Sequence, residues 1–143
     1  MHYAVLRYFI GRFLSCYIKN ADLCRKGRII FMKILILNSS PRRNGNISKM
    51  LEAMKQEIEC CNAEAVYVRV PELKVRPCIG CMKCRSSLRC CLPEDDAQLV
   101  LQSIRDADAL IIGAPCYWGN MPGELKVLFD RMVYGMMGEN SLG

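Results

Sequence analysis

One short run limits the fold more than any other feature of the chain. In residues 33–37, KILIL, every position after Lys33 is apolar, and the run halts at the polar turn Asn38–Ser39–Ser40. An apolar run this short, bounded by turn formers, suits a strand buried on both faces of a parallel sheet. Such a strand needs cover on two sides, and the downstream pattern supplies it. PRRNGNIS is a loop, and Ile47, Met50, Leu51, Met54 and Ile58 fall on one face of a helix expected over 47–60. AEAVYVRV, 63–70, alternates and is β-branched, as a second strand is. Glu94, Asp95 and Asp96 head a helix from about 95 to 106, where acidic side chains suit the positive end of the dipole. ADALIIGAP, 107–115, reads as a third buried strand, and ELKVLFDRMVYGMM, 124–137, as a third helix. Strand and helix alternate throughout. The expected class is α/β, a parallel sheet with helices on both faces, one edge of which lies open unless something covers it.

The 143 residues suffice for one domain with a real core, and 52% hydrophobic against 24% charged residues is a globular balance. The net charge of +6 is unevenly placed. Residues 1–31 hold six Lys/Arg and one Asp, whereas residues 32–143 hold fourteen Lys/Arg and thirteen Asp/Glu. The larger part is thus nearly neutral and gives no support for nucleic-acid binding. In the first part Tyr3, Leu6, Ile10, Phe13 and Tyr17 follow helical spacing with basic residues between them. Residues 1–31 are read as a leader upstream of a true start at Met32, or as a helical extension. Arg7 and Arg12 interrupt its apolar stretch, so neither a signal peptide nor a membrane span is expected, and the expected compartment is the cytoplasm.

Ten cysteines are many for a chain of this size, and five of them crowd into PCIGCMKCRSSLRCC, 77–91. Cys78, Cys81, Cys84 and Cys90 give C-x2-C-x2-C-x5-C, with Cys91 as an alternative fourth. Three thiols two residues apart suit one cubane cluster, the fourth closing it from further along. Zinc sites draw more often on two separated C-x2-C knuckles. Free or redox-active thiols are a third reading, and mutual disulfides would be strained at these spacings. Cys16, Cys24, Cys60, Cys61 and Cys116 lack ligand spacing and are read as buried small hydrophobes or incidental. His2 is the only histidine, so no histidine base is expected and no catalytic side chain is assigned.

Two loops stand at strand ends, where open α/β sheets bind ligands. NSSPRRNGNIS, 38–48, offers helix N-terminal amides to a phosphate, with Ser39, Ser40, Asn46 and Ser48 as further donors and Arg42 as charge. It is neither a GxxxxGK[ST] nor a GxGxxG loop, which disfavours a triphosphate or a Rossmann dinucleotide. A polar capping turn with solvated arginines is the plainer alternative. In APCYWGNMPGELK, 114–126, Tyr117 and Trp118 lie among turn formers. A flat conjugated ligand could rest there against the amides of 117–120. Trp118 plugging the end of the sheet is the plainer alternative.

Taken together, MKILILNSSPRRNGNISKMLEAM, PCIGCMKCRSSLRCCLPEDDA and ADALIIGAPCYWGNMPGELKVLFDR resemble the NADPH-dependent FMN reductase superfamily, in particular its iron–sulfur flavoproteins. The resemblance covers about residues 32–137. It implies a flavodoxin-like three-layer sandwich, FMN phosphate held by Ser40, Arg42, Asn46 and Ser48, and the isoalloxazine against Pro115, Tyr117, Trp118, Gly119 and Asn120. It further implies a 4Fe–4S cluster on Cys78, Cys81, Cys84 and Cys90, NAD(P)H as a possible electron donor, small-molecule or protein redox partners, and a homo-oligomer. Three departures stand out. Ile47 replaces a frequent Thr, Cys116 replaces an aliphatic residue, and three of the family's five strands are present. Residues 32–143 are therefore expected to form a partial FMN-binding domain, one that binds the flavin weakly or needs a partner to complete the sheet.

Overall fold

The computed structural model describes residues 32–87 and 89–132, so the expected leader 1–31 lies outside the described residues. Three strands, β1 (Lys33–Asn38), β2 (Glu64–Arg69) and β3 (Ala109–Gly113), form one parallel sheet in the order β2-β1-β3. Between them run α1 (Asn46–Cys60), a 3₁₀ turn (Val70–Glu72), a single helical turn α2 (Cys84–Ser87) and α3 (Asp96–Arg105), and α4 (Gly123–Met132) follows β3. The helix expected over 124–137 thus begins one residue early, and its last part lies outside the described residues.

The central strand behaves as its sequence requires. Ile34, Leu35, Ile36 and Leu37 are all buried. Side chains alternate across a strand, so Ile34 and Ile36 meet Leu51 and Ile58 of α1 on one face. Leu35 and Leu37 meet Ala97, Val100 and Leu101 of α3 and Leu125, Leu128 and Met132 of α4 on the other. Helix, sheet and helix make three layers. Each such buried aliphatic contributes about 1.5–3 kcal/mol of transfer free energy, which makes β1 the anchor of both layers.

Local chemistry sets the helix ends. Asn62 adopts φ +58, and the Ala63 N–H reaches back to the Ile58 carbonyl, closing α1 with a left-handed cap that asparagine tolerates. Asp95 caps α3 by accepting from the Ala97 N–H, while the Gln98 side chain accepts from the Asp95 N–H. Gly113 ends β3 against α1, where a Cβ would fall 2.5 Å from Leu51 Cδ1 and 2.9 Å from Ile47 Cγ2. Only glycine lets the helix sit this close. On β3, Leu110 and Ile112 are partly exposed, and the strand's outer edge pairs with no other strand among the described residues. No helix among the described residues is long and apolar enough to cross a membrane.

Candidate functional site

The strand order reverses between β1 and β3, and the crevice beyond such a reversal is where this architecture takes ligands. Asn38 lies opposite Gly113 in the ladder, and the Ser39 N–H donates to the Gly113 carbonyl at 2.8 Å. The loops after the two strands therefore leave the same rim side by side.

The first loop is built around Asn38, which is fully buried. Its Nδ2 donates to Ser48 Oγ at 3.0 Å and to Tyr67 Oη at 2.7 Å, and its Oδ1 accepts from the Ser40 N–H at 2.9 Å. Ser48 in turn donates to the Arg42 carbonyl at 2.8 Å. The single Ser48 proton is thus committed to the loop, which makes Ser48 a support for the loop and leaves it no proton for a phosphate. Ser40 Oγ makes only a long contact of 3.4 Å to the same carbonyl. Ser39 Oγ is buried with no hydrogen-bond partner. From outside, Glu72 holds Arg43 at 2.8 Å and Arg69 at 2.7 Å. Arg42 is exposed and forms no ion pair among the described residues. Of the two adjacent arginines, Arg42 is the one left for a ligand.

The helix behind this loop is open at its head. Gly45 takes the N-cap position with no side-chain cap bond, and the first turn of α1, which begins at the exposed Asn46, carries no acidic residue. A Cβ on Gly45 would sit 3.1 Å from Arg42 Cβ and 3.6 Å from Ser40 Oγ, so glycine keeps the concavity clear. Uncapped amides, an orphaned hydroxyl and a free guanidinium fit a phosphate monoester.

The second loop carries a tight turn. The Tyr117 N–H donates to the Asn120 carbonyl, and the Asn120 N–H returns to Tyr117. Trp118 and Gly119 have φ of +50 and +77, as a type I′ turn requires. A bulky residue in that region is strained, and such strain gathers at functional sites. Trp118 is fully exposed and Tyr117 is half exposed, so Trp118 does not plug the sheet. The turn's own bonds leave the Trp118 and Gly119 N–H groups free, beside Pro115, which is half-buried. The geometry suits a planar ligand lying on the rim.

The cysteine loop leaves the same edge after β2 and is held at its two ends. Arg131 of α4 is buried and donates to the Arg76 carbonyl at 2.8 Å and to the Asp95 carboxylate at 2.7 and 3.3 Å. Asp95 also accepts from the Arg76 N–H at 3.0 Å. Burial would raise the Asp95 carboxyl, but the Arg76 amide, the Arg131 guanidinium and the Ala97 amide outweigh it and hold it below the usual carboxylate range. Burial likewise opposes the Arg131 charge, and Asp95 with the nearby Cys90 restores it. Arg131 Nε is buried without a partner. Two open depressions lie beside this clamp: one of about 460 Å³ lined by Lys74, Arg76 and Asp95, the other of about 260 Å³ between Leu73, Pro77 and Gly123. The rim formed by the loops after β1 and β3 lines neither depression.

Between the clamped ends the thiols separate. Cys84 and Cys90 are half-buried and pack against the core, whereas Cys78, Cys81 and Cys91 are exposed. Cys81 Sγ and Cys91 Sγ approach to 3.2 Å. The Lys83 N–H and then the Cys91 thiol pull the Cys81 pKa below the ordinary thiol value, and the bond to Cys81 pushes Cys91 above it. Among the described residues no three Cys, His, Asp or Glu side chains gather as a metal site. The type of donor suits iron, but the arrangement does not enclose a cluster. Cys60, Cys61 and Cys116 are exposed, at a helix end and on the rim, so of the two readings, buried small hydrophobes or incidental, burial does not hold for them.

The family model for NADPH-dependent FMN reductase matches residues 32–142. The chain belongs to the NADPH-dependent FMN reductase family. Among this family, an iron–sulfur flavoprotein of Archaeoglobus fulgidus is 33% identical over 111 residues, covering 78% of this chain and 54% of that protein. An iron–sulfur flavoprotein of Methanosarcina thermophila is 36% identical over 102 residues, covering 71% and 53%. The solved NAD(P)H:quinone oxidoreductase of Methanothermobacter marburgensis superposes with a TM-score of 0.62 at 25% identity, over 74% of this chain and 56% of that one. The fold is flavodoxin-like, and the chain spans about half the length of the curated relatives it matches.

Proposed function

We propose that this FMN reductase-family chain is an FMN-dependent oxidoreductase that takes electrons from NAD(P)H and passes them to a small-molecule or protein acceptor. The observation that carries the reading is the shared rim: an uncapped helix head with the orphaned Ser39 hydroxyl stands next to the strained aromatic turn. Arg42, Ser39, Ser40 and the first amides of α1, at Asn46, would hold the phosphate. Ser48 and Asn38 keep that loop in shape. Tyr117 and Trp118 would lie against the ring, with the Trp118 and Gly119 amides at its edge. FMN, when bound, would accept hydride from a nicotinamide and deliver the electrons onward. Assembly as a homo-oligomer and a cytoplasmic site, where exposed thiols stay reduced, belong to the same proposal.

A 4Fe–4S cluster on Cys78, Cys81, Cys84 and Cys90 is supported by the spacing and by the names of the relatives. Because the sulfurs do not converge here, the electron path proposed ends at the flavin. A reductase whose cysteines hold no cluster is the second reading, favoured by the 3.2 Å Cys81–Cys91 approach. Iron analysis of the anaerobically purified chain separates the two.

The test is a fluorescence titration of the full chain with FMN and with riboflavin, which lacks the phosphate. Saturable FMN binding is expected, with riboflavin weaker by about tenfold or more, the scale of a charge-assisted contact. Arg42→Ala should weaken FMN by a similar factor and leave thermal stability unchanged. Equal affinity for both flavins, or no saturable binding by the folded chain, would overturn the proposal.

A further inference from the structure

We infer that Cys81 and Cys91 form a reversible thiol–disulfide switch in the cysteine loop whenever no metal is bound there, with low-molecular-weight disulfides as its oxidant. This goes beyond the flavin reading and does not depend on it. Of the five thiols in 77–91, Cys81 and Cys91 are both exposed, and their sulfurs lie 3.2 Å apart. A disulfide needs about 2.05 Å, so an approach of about 1.2 Å completes the bond. That adjustment falls in the exposed part of a segment whose ends are tied by the Arg131–Asp95–Arg76 clamp. Cys84 and Cys90 are set apart from the pair because both pack against the core. The loop backbone supports the approach: Gly80 and Met82, on either side of Cys81, take φ of +66 and +59, which turns the chain sharply at that residue.

The chemistry balances with two electrons. The Cys81 thiolate attacks one sulfur of a small disulfide, that S–S bond breaks, and one small thiolate leaves. Cys91, giving up its proton, then attacks Cys81 Sγ, the intramolecular S–S bond forms, and the second small thiolate leaves. The two cysteines are oxidised and the small disulfide is reduced to two thiols. Excess dithiol reverses both steps. Oxidation would withdraw Cys81 from any metal-binding set, so the oxidised loop should take up no iron until it is reduced.

The experiment uses the full chain, stripped of metal with a chelator under reducing conditions and then equilibrated with oxidised and reduced glutathione. Free thiols are alkylated, and the chain is cut with trypsin without reduction. The expected product joins the peptide 75–83 to the peptide 90–105 with the loss of two hydrogens, and fragment ions place the link at Cys81 and Cys91. Cys81→Ser and Cys91→Ser should abolish the joined peptide, whereas Cys78→Ser and Cys90→Ser should retain it. A link through Cys78 or Cys90, full alkylation of both cysteines at every glutathione ratio, or trapped glutathione adducts would overturn the switch. Iron content measured on the untreated chain reports separately on the cluster reading.

Discussion

The loop after β1, residues 39–45, and the cysteine loop, residues 77–91, leave the same edge of one sheet yet are held in opposite ways. In the first, Asn38, Ser39, Ser40 and Ser48 are buried, and a continuous hydrogen-bond network runs from Tyr67 through Asn38 and Ser48 to the Arg42 carbonyl. Its shape is fixed before any ligand arrives, which reduces the ordering required on binding. In the second, order is concentrated at the two flanks, where Arg131 joins Arg76 to Asp95, and the intervening Ile79, Gly80, Cys81 and Met82 stand in solvent. A loop clamped at its ends, with Cys81 and Cys91 in solvent, can bring those two thiols together without disturbing the core. The first loop is built to hold one shape and the second to change it.

The largest expected effect comes from breaking the clamp. Arg131 and Asp95 expose 1% and 8% of their side chains. Removing one partner of such a pair strands the other charge, which costs about 3–5 kcal/mol. Arg131→Ala should therefore lower stability by about that much in urea unfolding of the full chain, and a loss under about 1 kcal/mol would show that the clamp does not hold the loop. Protonating Asp95 probes the same pair. Its folded pKa lies below its unfolded value, ordinarily about 3.9. Its contribution is therefore complete above that pH and is lost as pH falls through the folded value. Stability should hold steady down to about pH 4 and decline below it, and Asp95→Asn should flatten that decline.

Asn38→Ala carries the next effect and tests the other side of the comparison. The change strands the Ser40 N–H and removes the donors to Ser48 Oγ and Tyr67 Oη in a fully buried place. A loss of about 2–3 kcal/mol is expected, in keeping with a buried group left unpaired. FMN affinity should fall further than in Tyr67→Phe, which removes a single acceptor. Unchanged FMN affinity in a folded Asn38→Ala chain would mean that the loop's shape is not what binds the ligand.

The two loops were also unequally legible in the sequence. KILIL and its polar stop announce the central strand as a short apolar run bounded by turn formers, and the loop at its end follows from that. The Asp95-x-x-Gln98 spacing carries the capping box openly, since its bonds are local. Arg131 gives no local sign of its task, because its partners lie 36 and 55 residues away and only the fold brings them together. The cysteine spacing allows many pairings, and the selection of Cys81 with Cys91 depends on backbone turns at Gly80 and Met82 that spacing does not encode. Ser48 was readable as a polar residue near a helix head, but the direction of its proton is set by Asn38 and the Arg42 carbonyl.

The smallest expected effect sharpens the contrast most directly. Ile79 is 64% exposed within the open part of the cysteine loop. An isoleucine that gains nothing from burial loses nothing when replaced, so Ile79→Ser should shift stability by no more than about 0.5 kcal/mol. The same exchange at Ile36, buried in β1, would remove one of the anchors of a packed layer and cost several-fold more. If Ile79→Ser instead destabilised the chain by more than about 1 kcal/mol, the middle of the loop would be packed in solution. Cys81 and Cys91 would then lack the freedom to close and open their bond, and the division of labour between the two loops would fail.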